Sequence, residues 1–96
     1  MIRVIYRWRV EHDHYADFVL WWHEGTLRIR SSHPGAMGST LCDPTPPSDQ
    51  AVAIARWRSQ EDLARFWKNP GGSEFPWAEM EAVEVMEEVD HLTIEV

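Results

Sequence analysis

Ala51-Val52-Ala53-Ile54-Ala55-Arg56-Trp57-Arg58, then Ser59-Gln60-Glu61-Asp62, then Leu63-Ala64-Arg65-Phe66-Trp67-Lys68, is the run on which the fold turns. An apolar segment dense in Val, Ile and Ala, closed by Trp57 and Arg58, has the length of a mostly buried strand. Ser59 follows at once with Asp62 three residues on, so a hydroxyl can accept from the free amides of a new helix while acids face its positive end. Leu63, Phe66 and Trp67 stand at i, i+3 and i+4 and share one side of that helix. A strand that runs straight into a short amphipathic helix must fold the helix back over its own face.

Working toward the N-terminus, residues 36–42 read as a second strand, with Gly38 leaving a gap that suits a bulge or a close approach. Ser31-Ser32-His33-Pro34-Gly35 turns the chain into it, because a residue before proline avoids the α region and Gly35 can take positive φ. The spacing of Tyr15, Phe18, Val19, Trp22, Thr26 and Ile29, widened by Leu20, Trp21 and Leu27, predicts a long helix from an Asp13 N-cap to about Ser32. Gly25 weakens its middle, and a ligand or another backbone close by would explain it. Residues 2–10 alternate, with Ile2, Val4, Tyr6, Trp8 and Val10 toward the helices and Arg3, Ile5, Arg7 and Arg9 on the far side. The three arginines face solvent or, where two sheets stack, the acids of a partner.

Toward the C-terminus, residues 43–49 hold three prolines in seven positions and form a stiff exposed connection. Asn69-Pro70-Gly71-Gly72 stops the helix. Pro76 suits a first helical position, so a further helix is expected over 75–87, with Trp77, Met80, Val83 and Met86 on one side and Glu79, Glu81, Glu84 and Glu88 outside. Residues 91–96 alternate again and read as a fourth strand. Two strand-helix-strand units in succession give a ferredoxin-like α+β sandwich, an antiparallel sheet with helices on one face. The bare face, expected to carry Ile5 with Met37, Leu41 or the Ala51 series, is expected to bury against a second copy.

Ninety-six residues with 44% hydrophobic side chains make one domain with one core. Sixteen acidic against nine basic residues give a net charge of −7, which repels phosphate backbones and anionic lipid and argues against nucleic acid and membrane as partners. No run reaches the roughly 18 apolar residues of a membrane span. Arginines interrupt the N-terminal apolar residues where a signal peptide would not, so a soluble, unprocessed chain is expected. The single cysteine, Cys42, lies in an apolar strand, which predicts a buried, inert thiol and fits a reducing cytoplasm. Six tryptophans are too costly to leave in water; most must bury against each other, a partner or a ligand.

The order of elements, the Pro34-Gly35-Ala36-Met37-Gly38 turn and the Ala55-Arg56-Trp57-Arg58-Ser59-Gln60-Glu61-Asp62-Leu63 passage resemble the antibiotic biosynthesis monooxygenase family over nearly the whole chain. The resemblance implies a dimeric α+β barrel with a pocket between helices and sheet in each subunit. It also implies oxygenation of aromatic polyketides and quinols without a cofactor, or haem degradation, although many members have no assigned activity. Trp67 stands where both oxygenase groups carry a pocket tryptophan. Haem degraders add an asparagine on the first strand, where this chain has Tyr6 or Arg7 depending on register, and a histidine further on, near which this chain has Trp77. No histidine lies between His33 and His91.

Oxygenation without metal or flavin needs a substrate that can itself give an electron to oxygen, held in an aromatic slot that helps remove a proton and excludes water. Trp67, Trp77, Trp22 and Phe66 are candidate walls, each equally able to serve as ordinary core. His23, oriented by Glu24, is the first candidate base and His91 the second. Adjacent helical residues point about 100° apart, so a surface His23 is the competing assignment. Arg65 or Arg7 are candidates to steady an anionic oxygen, against a plain solvated role. No cofactor is expected. His12-Asp13-His14 matches no established metal site, His23-Glu24 lacks the second histidine of the zinc-protease helix because Leu27 occupies that place, and Gly71-Gly72 follows a helix and lacks a phosphate-loop lysine. The partners expected are a second copy, a small aromatic substrate and molecular oxygen. The rival reading is a non-catalytic binding or structural dimer, with the cavity filled by its own indoles.

Overall fold

The computed structural model describes residues 1–92. Four strands, β1 (Ile2–Val10), β2 (Ala36–Cys42), β3 (Gln50–Trp57) and β4 (Ala78–Glu87), form one sheet in the order β2-β3-β1-β4 with every neighbouring pair antiparallel. Two helices, α1 (Tyr15–Ser32) and α2 (Gln60–Lys68), cover one face, which is the ferredoxin-like βαββαβ arrangement.

The start of α2 forms as its residues dictate: Ser59 Oγ accepts from the Asp62 amide at 3.2 Å, and Glu61 and Asp62 lie in the first turn. Ahead of α1, residues 12–14 form a short 3-10 turn containing Asp13, and the N-cap is His14, without a side-chain cap bond. Asp13 is therefore displaced from the role its sequence position suggested. Leu20 and Leu27, expected in the buried stripe of α1, are exposed at 57% and 48%.

The last third of the chain departs from expectation. Residues 78–87 are strand β4, not the helix expected over 75–87. Trp8 lies opposite Met80 but Arg7 opposite Ala82, so Glu81 is an extra residue and the strand carries a bulge. The bulge breaks the two-residue alternation, and Met80 and Val83 share a face three residues apart, a helical spacing made by a strand. A fourth strand at 91–96 was expected instead; His91 and Leu92 lie outside any strand, and residues 93–96 lie outside the described residues.

The buried interior is divided. Ile2, Val4, Ala55, Trp57, Leu63 and Phe66 form one cluster, and Trp8, Val10, Phe18, Ala51 and Ala53 another. Tyr6 packs against both. Ala51, Ala53 and Ala55 are thus under the helices, and Leu41 pairs with Ala53 on the same face. This corrects the expectation that they lie on the bare face.

The bare face carries Ile5, Val52 and Ile54, all half-buried, among ion pairs. Its arginines meet acids of their own chain. Glu88 accepts from Arg3 Nε and Arg56 Nε, each at 2.7 Å, Arg7 Nε lies 3.2 Å from Glu84, and Arg9 Nη2 lies 2.9 Å from Glu81. Cys42 sits opposite Val52 at the edge strand and is exposed, contrary to the buried thiol expected. No helix among the described residues is long and apolar enough to cross a membrane.

Candidate functional site

Between the two clusters and under the helices lies a cleft of ≈ 620 Å³. β1 supplies Tyr6 and Trp8, α1 supplies Trp21, Trp22, Thr26 and Ile29, β2 supplies Ser39, β3 supplies Trp57, α2 supplies Phe66 and Trp67, and β4 supplies Met80 and Val83. Five of the six tryptophans reach it, and they leave it open rather than filled. Gly25 lines it as well. A Cβ at Gly25 would meet no atom within 4 Å, so the gap in α1 faces the cleft and no backbone presses on it.

By strand alternation Tyr6 faces the cleft, and Arg7 faces the opposite side of the sheet with Glu84. The Tyr6 ring stacks on Trp8 at 5.6 Å, and its hydroxyl oxygen accepts from Trp67 Nε1 at 3.5 Å. Burial raises the Tyr6 pKa, and the Trp67 hydrogen bond opposes that only in part. The hydroxyl is therefore neutral at physiological pH, with its proton available to a guest.

Of the residues picked from the sequence, the cleft brings together Tyr6, Trp22, Phe66 and Trp67. Phe66 is buried and stacks on Trp57 at 5.1 Å; Trp67 is 46% exposed and forms part of the rim. The remainder lie elsewhere. His23 is on the exposed side of α1, and Arg65 is engaged with Asp62 at 2.9 Å. Trp77 stacks on His14 at 4.0 Å beyond the end of β1, and His91 is exposed past β4. Trp8, Trp21, Trp57, Ser39, Met80 and Val83 were not singled out. For Trp8 the alternation of β1 held the signal, since it shares a face with Tyr6.

Three anchors set the shape. Asp62, buried, accepts from Arg58, Arg65 and the Ser59 hydroxyl, and fixes the first turn of α2. On the other side, Trp21 Nε1 donates to the Ser73 carbonyl at 3.0 Å and Arg28 Nη1 to the Pro70 carbonyl at 2.9 Å. They bind the segment after α2, whose Pro70 and Gly71 border the cleft, to α1. Among the described residues, no three His, Cys, Asp or Glu side chains are grouped so as to hold a metal ion.

Several solved structures share this architecture. The haem degrader MhuD of Mycobacterium tuberculosis, solved with two haems in its active site, superposes with a TM-score of 0.79 at 16% identity, over 97% of this chain and 100% of that one. SnoaB of Streptomyces nogalater, a cofactor-independent oxygenase, superposes with a TM-score of 0.75 at 20% identity, over 95% of each chain. At such identities the likeness is one of fold. No curated protein matches the chain in sequence. The family model described as antibiotic biosynthesis monooxygenase matches residues 1–75, which take in β1 to α2 and most of the cleft. The chain belongs to the antibiotic biosynthesis monooxygenase family.

Proposed function

We propose that this protein is a homodimeric monooxygenase that oxidises an aromatic, quinol-like or polyketide-derived substrate with molecular oxygen and without a resident cofactor. The observation that carries the proposal is the cleft itself: ≈ 620 Å³ walled largely by indoles and phenyl rings, with the Trp67–Tyr6 hydrogen bond among its polar features. Flat rings stack on such walls, and a cleft of this size takes a ligand of several fused rings. Family membership and the fold shared with SnoaB support the same chemistry.

For an anthrone-type substrate the ring methylene becomes a carbonyl. One atom of oxygen enters the substrate, the other leaves as water with the two methylene hydrogens, and every electron comes from the substrate. Activation needs the substrate enolate. The Tyr6 hydroxyl, polarised by Trp67, donates to the oxygen on which that charge develops. Neither histidine nor carboxylate is among the described lining side chains, so the proton leaves to water at the open rim.

The family's fold also accommodates haem, as in MhuD. Here the lining offers a thioether, Met80, and a phenol kept neutral by burial, without imidazole or thiolate. That donor set does not fit a haem iron, and no step is assigned to one.

The test is oxygen uptake with a panel of anthrones and hydroquinones, aerobic against anaerobic. Turnover should require oxygen, and Tyr6→Phe should lower kcat by about ten- to a hundredfold. Absence of oxygen-dependent turnover across the panel would leave a binding dimer in its place.

A further inference from the structure

Ser39 lines the cleft from β2, and its Oγ is buried without a hydrogen-bond partner. A buried hydroxyl left unsatisfied destabilises a fold, and such groups in native proteins call for a partner. Gly38, at φ 100° in the β2 bulge, directs the strand so that Ser39 lies opposite Ala55 on the helix-covered face. Across the sheet, the Tyr6 hydroxyl accepts from Trp67, while its own proton has no acceptor among the described residues. The cleft therefore holds an unspent hydroxyl function on each of β1 and β2, and Arg30 and Arg56 also border it.

Their separation follows from the register. Ser39 is opposite Ala55 and Tyr6 is opposite Ala53, so the two residues lie two strands apart and two residues along. Strand spacing and rise put their Cα positions roughly 12 Å apart. Trp57 and Phe66 are among the aromatic side chains that line the same cleft.

We infer that the cleft selects a fused-ring aromatic carrying an oxygen at each end, one hydrogen-bonded by Tyr6 and the other by Ser39. This deepens the proposed function and rests on its reading of the cleft as an aromatic-binding site. A guest with one oxygen would leave Ser39 as it stands, a buried hydroxyl without a partner.

The test uses 2,6-dihydroxyanthraquinone and 2-hydroxyanthraquinone, which share a ring system and differ in the distal hydroxyl. Quenching of tryptophan fluorescence reads both. Wild-type protein should bind the dihydroxy compound about five- to tenfold more tightly, and Ser39→Ala should abolish that preference while leaving affinity for the monohydroxy compound unchanged. Ligand-free Ser39→Ala should melt at the same or a higher temperature. No preference in the wild type, a preference that survives Ser39→Ala, or a lower melting temperature for the ligand-free variant would each overturn the inference. Both probes are already oxidised, so the result is independent of turnover. The preference without anthrone oxidation sinks the oxygenase and spares the selectivity; anthrone oxidation without the preference does the reverse.

Discussion

The indole N–H of Trp67 donates to the hydroxyl oxygen of Tyr6 at 3.5 Å, joining α2 to β1 across the cleft. This bond works against burial in setting the acidity of Tyr6. Trp67→Phe keeps an aromatic wall and removes the donor, so the Tyr6 pKa should rise further. Ultraviolet titration reads this directly, since Tyr6 and Tyr15 are the only tyrosines. An unchanged titration would mean that the contact does not persist in solution.

Stability should fall at both ends of the pH scale. Tyr6 is raised above 10.0 by burial, so its stabilising contribution is complete below that value and is lost as pH rises through the folded-state pKa. Arg58, with Ser59 and Arg65, holds Asp62 below its ordinary 3.8, and Arg56 and Arg3 hold Glu88 at about 2 rather than 4.5. Those contributions are present above the ordinary values and are lost as pH falls through the folded ones. Melting temperature should decline from about pH 5 toward pH 2, and Glu88→Gln should flatten part of that slope.

Gly35 takes φ 85°, its carbonyl accepts from the Arg58 amide at 2.9 Å, and a Cβ there would strike the Asp62 carboxylate. Gly35→Ala should cost on the order of 1–3 kcal/mol from the backbone alone, with the collision added. Denaturant unfolding measures it. A cost below about half a kcal/mol would show that the turn can relax.

The bare face of the sheet, with Ile5, Val52 and Ile54 half-buried among ion pairs, should be closed by a second copy. Light scattering should give twice the subunit mass, and Ile54→Asp should halve it, because closure of that face would bury a carboxylate without a partner. A wild-type protein at a single subunit mass would remove the dimer from the proposed function.

What the sequence revealed follows the range of each interaction. β1, β2, β3 and the start of α2 are written in short patterns, namely alternation, Gly35 after Pro34, and Ser59 before Asp62. β4 was misread because Glu81 interrupts its alternation, and a glutamate-rich segment with apolar residues three apart satisfies the helical pattern as well. In the cleft, Tyr6, Trp22, Phe66 and Trp67 were legible from face and spacing. His23 and His91 were chosen by chemistry, and geometry put them elsewhere. Ser39 had no local mark at all, since the lack of a partner is a property of everything packed around it.

The offset at Glu81 lets one strand serve two masters. On its N-terminal side Ala78 and Met80 point toward the helices; past the offset Val83 and Val85 take over that direction, and Glu84 is released to Arg7. Excision of Glu81 would leave Met80 opposite Trp8, Ala82 opposite Arg7 and Val83 opposite Tyr6, so every face would be kept and the loss would fall on the carboxylate that meets Arg9. The pairing of this segment thus tolerates the loss of that one residue, whereas removal of any neighbour instead would move the carboxylates and the apolar side chains to each other's face.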